Sequence, residues 1–148
     1  MIVLGIDPGP KQSAKVLWDG ERLYEHSAEI LANEDVRLDY SQEVIVAVEH
    51  LQCFGMGVGR EVFETAYWIG EYRRACKLAN LTFIPVTRGE VKMHHCHSMR
   101  ATDSNIRYAL IDRFGAPGTK KAQGVTYGLK KDLWSAFAIA TMTFDKLK

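Results

Sequence analysis

Two apolar runs that each end in a carboxylate constrain this chain most. The first covers residues 2–6 and stops at Asp7, after which Pro8 and Gly9 predict a turn. The second, VIVAVEH, ends at Glu49. Both runs are rich in β-branched residues and predict buried strands. An unpaired buried charge is costly, so each acid is either held by donors in its own turn or faces a cleft that binds something positive.

The remaining pattern predicts a hairpin followed by alternating helices and strands. Asp19-Gly20 is a hairpin turn signal between the strands SAKVLW and ERLYEHSAEI, and LTFIPV predicts a further strand that Pro85 ends. Such an order predicts an α/β fold, a mixed sheet with helices on its faces. The acids then lie at the carboxyl ends of strands, where open α/β sheets bind ligands.

Apolar spacing and capping residues predict the helices. Asn33 is a candidate cap for a short helix, Thr102 or Asp103 for a later one, and Gly115 would stop the latter. Two glycine-containing stretches, CFGMGVG and GAPGTKKAQGVTYG, predict loops, the second basic and mobile. The predicted helices cover residues 33–40, 60–78, 102–114 and 132–147.

Size and cysteine content indicate a single intracellular domain. The 148 residues fit one domain, residues 1–148, with a sizeable core. Three scattered cysteines argue against a disulfide framework, and no apolar run is long enough to span a membrane. The N-terminus has no signal-peptide pattern. We therefore expect a reduced, cytoplasmic protein that is not bound to membranes.

Charge is distributed unevenly along the chain. The net charge is +1, yet residues 86–131 hold nine Lys or Arg against three Asp or Glu, while residues 1–85 hold eight against 13. A basic segment within a near-neutral protein suggests a local anionic partner, although it is also compatible with an ordinary solvated surface.

A third acid, Asp132, begins the last predicted helix in KKDLWSAFAIA. Two or three close carboxylates repel one another unless a cation lies between them, and Mg²⁺ prefers oxygen ligands. Two such ions support phosphodiester cleavage in many nucleases. The alternatives remain open: Asp132 could cap its helix, and Asp7 could bond the amides of its own turn.

The stretch HHCHS raises the question of zinc. His94, His95, Cys96 and His97 are adjacent in sequence, whereas structural zinc sites usually take their ligands in spaced pairs. We therefore interpret this stretch as a polar or phosphate-contacting loop rather than as a zinc site.

Several motifs in order resemble the RuvC family of Holliday junction resolvases. These are LGIDPG near the start, VAVEH at a strand end, EVFETAYWIG in the following helix and SAFAIA after an acid in the last helix. EVKMHHCHSMRATDSNIRYALIDRFG is similar to the version in phage-encoded members. The resemblance implies an RNase H-like fold with a five-stranded sheet. It also implies an Mg²⁺- or Mn²⁺-dependent endonuclease, usually a homodimer, that cuts four-way DNA junctions.

The resemblance also implies roles for individual residues. Asp7, Glu49 and Asp132 match family acids that bind Mg²⁺ and carry catalysis. The family's last metal-binding position falls on Ser135, whose hydroxyl is a weaker ligand than a carboxylate. Asp103 could contribute instead, although cellular members have a lysine in that neighbourhood. Lys92 matches a lysine of the family that lies near DNA.

A DNA partner would give the basic segment a role in holding the phosphate backbone. Phe54 or Met56, in the glycine-rich loop after Glu49, could wedge at an unstacked junction base, with core packing as the alternative for Phe54. The aromatic residues Phe63, Tyr67 and Trp68 could serve the core or a dimer interface. The candidate phosphate contacts are Lys92, Arg100, Arg107, Lys120, Lys121, Lys130 and Lys131.

Other functions fit part of the pattern. A nuclease that debranches flaps and forks would use the same acids. A non-catalytic junction-binding protein would explain Ser135 but not the three acids. An actin-like ATPase also places an Asp before glycine at a strand end, yet it needs a second domain for which 148 residues leave no room. A globular domain without a site would leave the placement of the acids unexplained.

Overall fold

The fold is built on a five-stranded mixed sheet in the order β3-β2-β1-β4-β5. A computed structural model describes residues 1–24 and 26–148. Strands β1, β2 and β3 pair antiparallel, and β1, β4 and β5 pair parallel. The strands are β1 Val3–Pro8, β2 Gln12–Trp18, β3 Glu29–Ala32, β4 Ile45–His50 and β5 Thr82–Thr87.

In the described residues, four α-helices cover the sheet: α1 Arg60–Leu78, α2 Arg88–Cys96, α3 Asp103–Phe114 and α4 Leu133–Leu147. The predicted bounds of α1, α3 and α4 are confirmed to within one residue. Within the described part of the chain, no helix is both long and apolar enough to cross a membrane.

The helices lie on both faces because side chains alternate along each strand. Leu4 and Ile6 of β1 pack in one cluster with Ile69 and Tyr72 of α1. Residues of opposite parity, such as Val3, pack in a second cluster with α2, α3 and α4. The predicted mixed sheet with helices on both faces is therefore confirmed.

Helix α4 lies unusually close to β1, and Gly5 is the reason. A Cβ atom at Gly5 would stand 2.2 Å from the Ala136 carbonyl oxygen and 2.9 Å from the Ala140 Cβ. The small size of Gly5, Ala136 and Ala140 thus lets the two backbones approach each other. This approach places the start of α4 beside the end of β1.

The predicted return strand is wrong over most of its length. Among the described residues of this segment, a single bridge, Trp18 to Leu23, follows the turn, and regular pairing with β2 begins at Glu29. The Asp19 carboxylate instead accepts hydrogen bonds from the amides of Glu21 and Arg22, which keeps those amides out of a ladder. Glu25, inside the predicted strand, lies outside the described residues.

Asn33 does not cap a helix of residues 33–40. It begins a short 3₁₀ turn, Asn33–Asp35, without a side-chain cap. Its buried amide instead accepts hydrogen bonds from Ser13 Oγ (2.7 Å) and Tyr72 Oη (3.0 Å) and donates one to the Gly9 carbonyl (2.9 Å). Burial of the polar side chain therefore links β2, α1 and the turn after β1.

Pro85 does not end its strand, since β5 continues to Thr87. Among the described strands, β5 forms one edge of the sheet and has β4 as its single partner. An edge position tolerates proline because one side of the strand needs no ladder donor.

The HHCHS stretch is largely helical, not a loop. Thr87 and Glu90 form a reciprocal capping box that starts α2, and His97 ends it in the left-handed conformation. The basic loop is also more structured than predicted, since Gly118–Thr119 pairs with Ala122–Gln123 (β6 and β7). Thr126 and Leu129 are buried and anchor the segment before α4.

Candidate active site

The carboxylates of Asp7 and Glu49 lie on neighbouring strands on the side of the sheet that α4 covers. Ile6 and Val48 are the last residues that β1 and β4 pair with each other, and the two acids follow them by one residue. Side chains one residue beyond Ile6 and Val48 point away from α1. Asp132 precedes α4 and Ser135 lies in its first turn, so the close approach at Gly5 brings both to this edge.

The pKa of the Asp7 carboxylate depends on its burial and on its acidic neighbours. The pKa of Asp7 is raised to about 7, mainly by burial and also by the negative charges of Glu49 and Asp132, while Arg88 and a hydrogen bond from Ser135 oppose the rise. In the described part of the chain, its side-chain donor is thus Ser135 and not an amide of the Pro8-Gly9 turn. This arrangement favours the cleft interpretation of Asp7 over the turn interpretation.

Asp132 does not cap α4. It occupies the position before the helix in the αR conformation, and its side chain makes no capping hydrogen bond. It lines a cavity of about 190 Å³ together with Ser135 and Glu49. The capping alternative for Asp132 is therefore wrong.

Glu49 is paired with Arg88, a residue that the motifs did not single out. The distance from Arg88 Nη1 to Glu49 Oε2 is 3.6 Å, and Arg88 Nη2 also forms a close ion pair with Asp103 Oδ1. Burial raises the pKa of Glu49, and the positive charges of Arg88 and Lys92 oppose that rise. The capping box at Thr87 and Glu90 is the sequence signal that places an arginine here, because it predicts a helix start at Arg88.

The donor set suits a hard divalent cation, although the site is not closed around one. Among residues 1–24 and 26–148, no three His, Cys, Asp or Glu side chains stand close enough to hold a metal ion as they are placed. The groups that converge are nevertheless oxygen donors, and burial together with repulsion from Glu49 and Asp132 raises the pKa of Asp7. A cation ligated by these carboxylates would relieve that repulsion.

Three of the predicted phosphate contacts lie beside the carboxylates. Arg107 and Lys131 line the 190 Å³ cavity with Asp132, and the Arg107 guanidinium stacks 4.9 Å from the Trp134 ring centroid. Lys92 lines a neighbouring cavity of about 260 Å³ that also includes Glu49.

The other candidate contacts are exposed and line neither of these cavities. Arg100 lies between α2 and α3, and Lys130 comes shortly before α4. Lys120 and Lys121 form the tip of the β6–β7 hairpin, and neither lines the two cavities beside the carboxylates.

The apolar residues of the glycine-rich loop face solvent. Phe54 and Met56 each expose 76% of their surface, so the core-packing alternative for Phe54 is wrong. Phe63 and Tyr67 on α1 are also exposed, by 67% and 60%. Trp68 is partly buried in the cluster beneath α1. The aromatic residues of α1 therefore divide between core and surface.

The histidines of α2 contact α4. His94 Nε2 lies 2.9 Å from Asp145 Oδ2, which also pairs with Arg113. His95 Nε2 lies 2.9 Å from the Ala138 carbonyl oxygen, and burial lowers the pKa of His95 to about 4. Both side chains thus join helices, and the predicted phosphate-contacting loop is corrected to a packed helix.

Solved structures with the same architecture include two of Thermus thermophilus RuvC. One has a TM-score of 0.68 and 16% sequence identity, covering 96% of this chain and 92% of that one. Another, of T. thermophilus RuvC in complex with Holliday junction substrate, has a TM-score of 0.68, 17% identity and the same coverage. No protein-family model and no curated protein matches the sequence. The likeness shows an α/β fold of the RNase H-like type.

Proposed function

We propose that this protein is a divalent-metal-dependent endonuclease that hydrolyses phosphodiester bonds in branched DNA, with four-way junctions as the preferred substrate. The observation that carries the proposal is the convergence of Asp7, Glu49 and Asp132 at one sheet edge. Support comes from the fold, which resembles RuvC, including a RuvC structure that holds a Holliday junction substrate.

The three carboxylates would hold Mg²⁺ or Mn²⁺ at the ends of β1 and β4. When bound, the cation supplies positive charge for activating water and for stabilising the leaving oxygen. Asp7 is the central ligand of the proposal because both other acids act on its carboxylate. Ser135 orients that carboxylate by donating its hydroxyl hydrogen, a role that requires no direct contact between Ser135 and the cation.

The basic side chains would hold the DNA by its phosphates. Lys92, Arg107 and Lys131 flank the carboxylates, so they would fix the register of the strand to be cut. Phosphate contacts of this kind position a substrate without reading its sequence. Selection of branched DNA would then depend on shape, to which the exposed Phe54 and Met56 contribute by stacking on unpaired bases.

A homodimer would suit a substrate with two strands to cut. The exposed Phe63 and Tyr67 on α1 provide apolar surface for a second copy. Two related sites on one two-fold axis would make paired cuts.

The decisive experiment presents purified protein with a labelled four-way junction, a fork and a linear duplex, with and without Mg²⁺ or Mn²⁺. Asp7→Asn is the matched variant, because it removes the central charge at nearly constant size. We expect metal-dependent paired cuts in the four-way junction, no cuts by Asp7→Asn, and junction binding by both proteins.

Other outcomes would change the assignment. Equal cleavage of forks and junctions would identify a general debranching nuclease. Tight binding without cleavage under either metal would identify a junction-binding protein. Cleavage that survives Asp7→Asn would place the catalytic centre elsewhere and overturn the proposal.

A further inference from the structure

Arg88 occupies a position between two acids that lie on different elements. Its guanidinium reaches Glu49 at the end of β4 and Asp103 at the start of α3. Both Arg88 and Glu49 line the 190 Å³ cavity that contains Asp132 and the 260 Å³ cavity that contains Lys92. The Arg88–Glu49 pair therefore stands between the two cavities.

The two contacts of Arg88 differ in how far the partner is exposed. The distance from Arg88 Nη1 to Glu49 Oε2 is 3.6 Å, and Arg88 Nη2 also pairs with Asp103 Oδ1. Glu49 is largely buried, with 17% of its side chain exposed, while Asp103 exposes 74%. A guanidinium held by an exposed partner can leave the buried one without becoming unpaired.

The backbones at both ends of the Arg88–Asp103 pair are fixed. Arg88 is the first residue of α2, behind the Thr87 capping box, and Asp103 is the first residue of α3, behind the Thr102 capping box. Motion of the Arg88 side chain about Asp103 therefore needs no change in the main chain.

A divalent cation ligated by Glu49 would compete with Arg88, since both are positive and need the same carboxylate. Once displaced, the guanidinium remains at a cavity lined by Arg107, Lys131 and Ser104. Arginine binds phosphate oxygens through paired N–H donors. Displacement would thus present a phosphate-binding group beside the carboxylates at the moment they are neutralised.

We propose that, in the DNA-free protein, the Arg88 guanidinium occupies the place beside Glu49 that a divalent cation would take. When a divalent cation replaces it there, the Arg88 side chain turns about Asp103 and binds the DNA phosphate. The phosphate step rests on the proposed nuclease function, whereas the exchange at Glu49 does not. Arg88 then acts as the positioning group for the substrate, and Asp103 keeps it in place.

The exchange is tested by calorimetric titration of the DNA-free protein with Mn²⁺ alone. Arg88→Gln removes the competitor and should bind Mn²⁺ about fivefold more tightly or better. Arg22→Gln is the matched control, because Arg22 pairs with Asp19 in the turn after β2 and its loss changes the net charge equally. Unchanged or weaker Mn²⁺ binding by a folded Arg88→Gln would overturn the exchange.

The phosphate step is tested by junction cleavage at saturating Mn²⁺. Arg88→Gln should lower kcat by roughly a hundredfold, and Arg88→Lys should recover only part of it, because an ammonium group lacks the paired donors. Asp103→Asn should raise KM more than it lowers kcat. A wild-type rate for Arg88→Gln would overturn this step alone, whereas absence of cleavage by the wild type would overturn the nuclease function and leave the Mn²⁺ titration to decide the exchange.

Discussion

At the scale of single residues, the negative charge of the Asp7 carboxylate opposes the stability of the folded, metal-free protein. The carboxylate is mostly buried beside two other acids, and its pKa is raised to about 7. For an acid with a raised pKa, the protonated folded form is favoured. The stabilising contribution is complete below the unfolded pKa near 4 and is lost as the pH rises through about 7.

Asp7→Asn should therefore stabilise the metal-free protein at pH 8, by on the order of 2 kcal/mol, because it removes a buried charge. The gain should shrink as the pH approaches 4, where Asp7 is itself neutral. Urea unfolding in the presence of a chelator at both pH values measures it.

Asp19→Asn provides the opposite control. The pKa of Asp19 is lowered because, against the effect of burial, its carboxylate accepts hydrogen bonds from the amide and side chain of Arg22 and from the amide of Glu21. This variant should not gain stability at pH 8. A loss of stability in Asp7→Asn at pH 8 would instead mean that the carboxylate is needed for packing.

Of the four candidate metal-binding residues Asp7, Glu49, Asp132 and Ser135, Ser135 is the one whose side chain is not a carboxylate. Ser135→Asp adds a fourth acid beside Asp7, so it should lower Tm in chelator and increase the rise in Tm that Mg²⁺ produces. Differential scanning fluorimetry with and without Mg²⁺ measures both effects.

The neutral variant Ser135→Asn separates charge from size. It should show no larger response to Mg²⁺ than the wild type. An equal Mg²⁺ response in Ser135→Asp and Ser135→Asn would show that position 135 does not face the cation.

At the scale of helices and strands, the contact between β1 and α4 sets the geometry of the site. Gly5→Ala would place a methyl group 2.2 Å from the Ala136 carbonyl oxygen, so α4 would have to move. We expect a loss of about 3 kcal/mol in the free energy of unfolding, measured in urea.

Gly70→Ala is the matched control for that change. Gly70 lies on the exposed side of α1, and a Cβ there meets nothing within 4 Å. It should gain about 0.5–1 kcal/mol from helix propensity. Equal effects of the two substitutions would contradict the close approach of α4 to β1.

Elements with strong local signals were predictable, and those decided by distant contacts were not. Helices α1, α3 and α4 follow from apolar spacing and, for α3, from the Thr102 cap. The Asn33 turn differed because Asn33 bonds Tyr72, which is 39 residues away. Helix α2 was not predicted, because Val91 is its one buried residue and apolar spacing therefore gives little helical pattern; the Thr87 capping box is its local signal.

In the candidate site, too, some positions follow from local sequence signals and others depend on distant contacts. Strand ends placed Asp7 and Glu49 together, since parallel neighbours end at one edge of the sheet. The position of Arg88 between Glu49 and Asp103 depends on three separate elements meeting. No local pattern in the sequence specifies such a meeting.

At the scale of the whole molecule, the positive charge of residues 86–131 is spread from the cavities to the β6–β7 hairpin. Replacing Lys120 and Lys121 by glutamine should reduce the slope of log K against log salt for junction binding by about 1.8, or 0.9 for each lost phosphate contact. Fluorescence anisotropy at several salt concentrations measures the slope.

Lys77→Gln, on α1 and outside the basic segment, is the control and should leave the slope unchanged. An unchanged slope in the double variant would remove the hairpin from the DNA-binding surface.

The two edge strands of the sheet determine how easily a strand of another chain can pair with it. On one side the outermost strand has four residues, and on the other Pro85 interrupts the row of amide donors. Short borders and proline both discourage a foreign strand from adding to a sheet. Aggregation by extension of the sheet is therefore disfavoured at both of its edges.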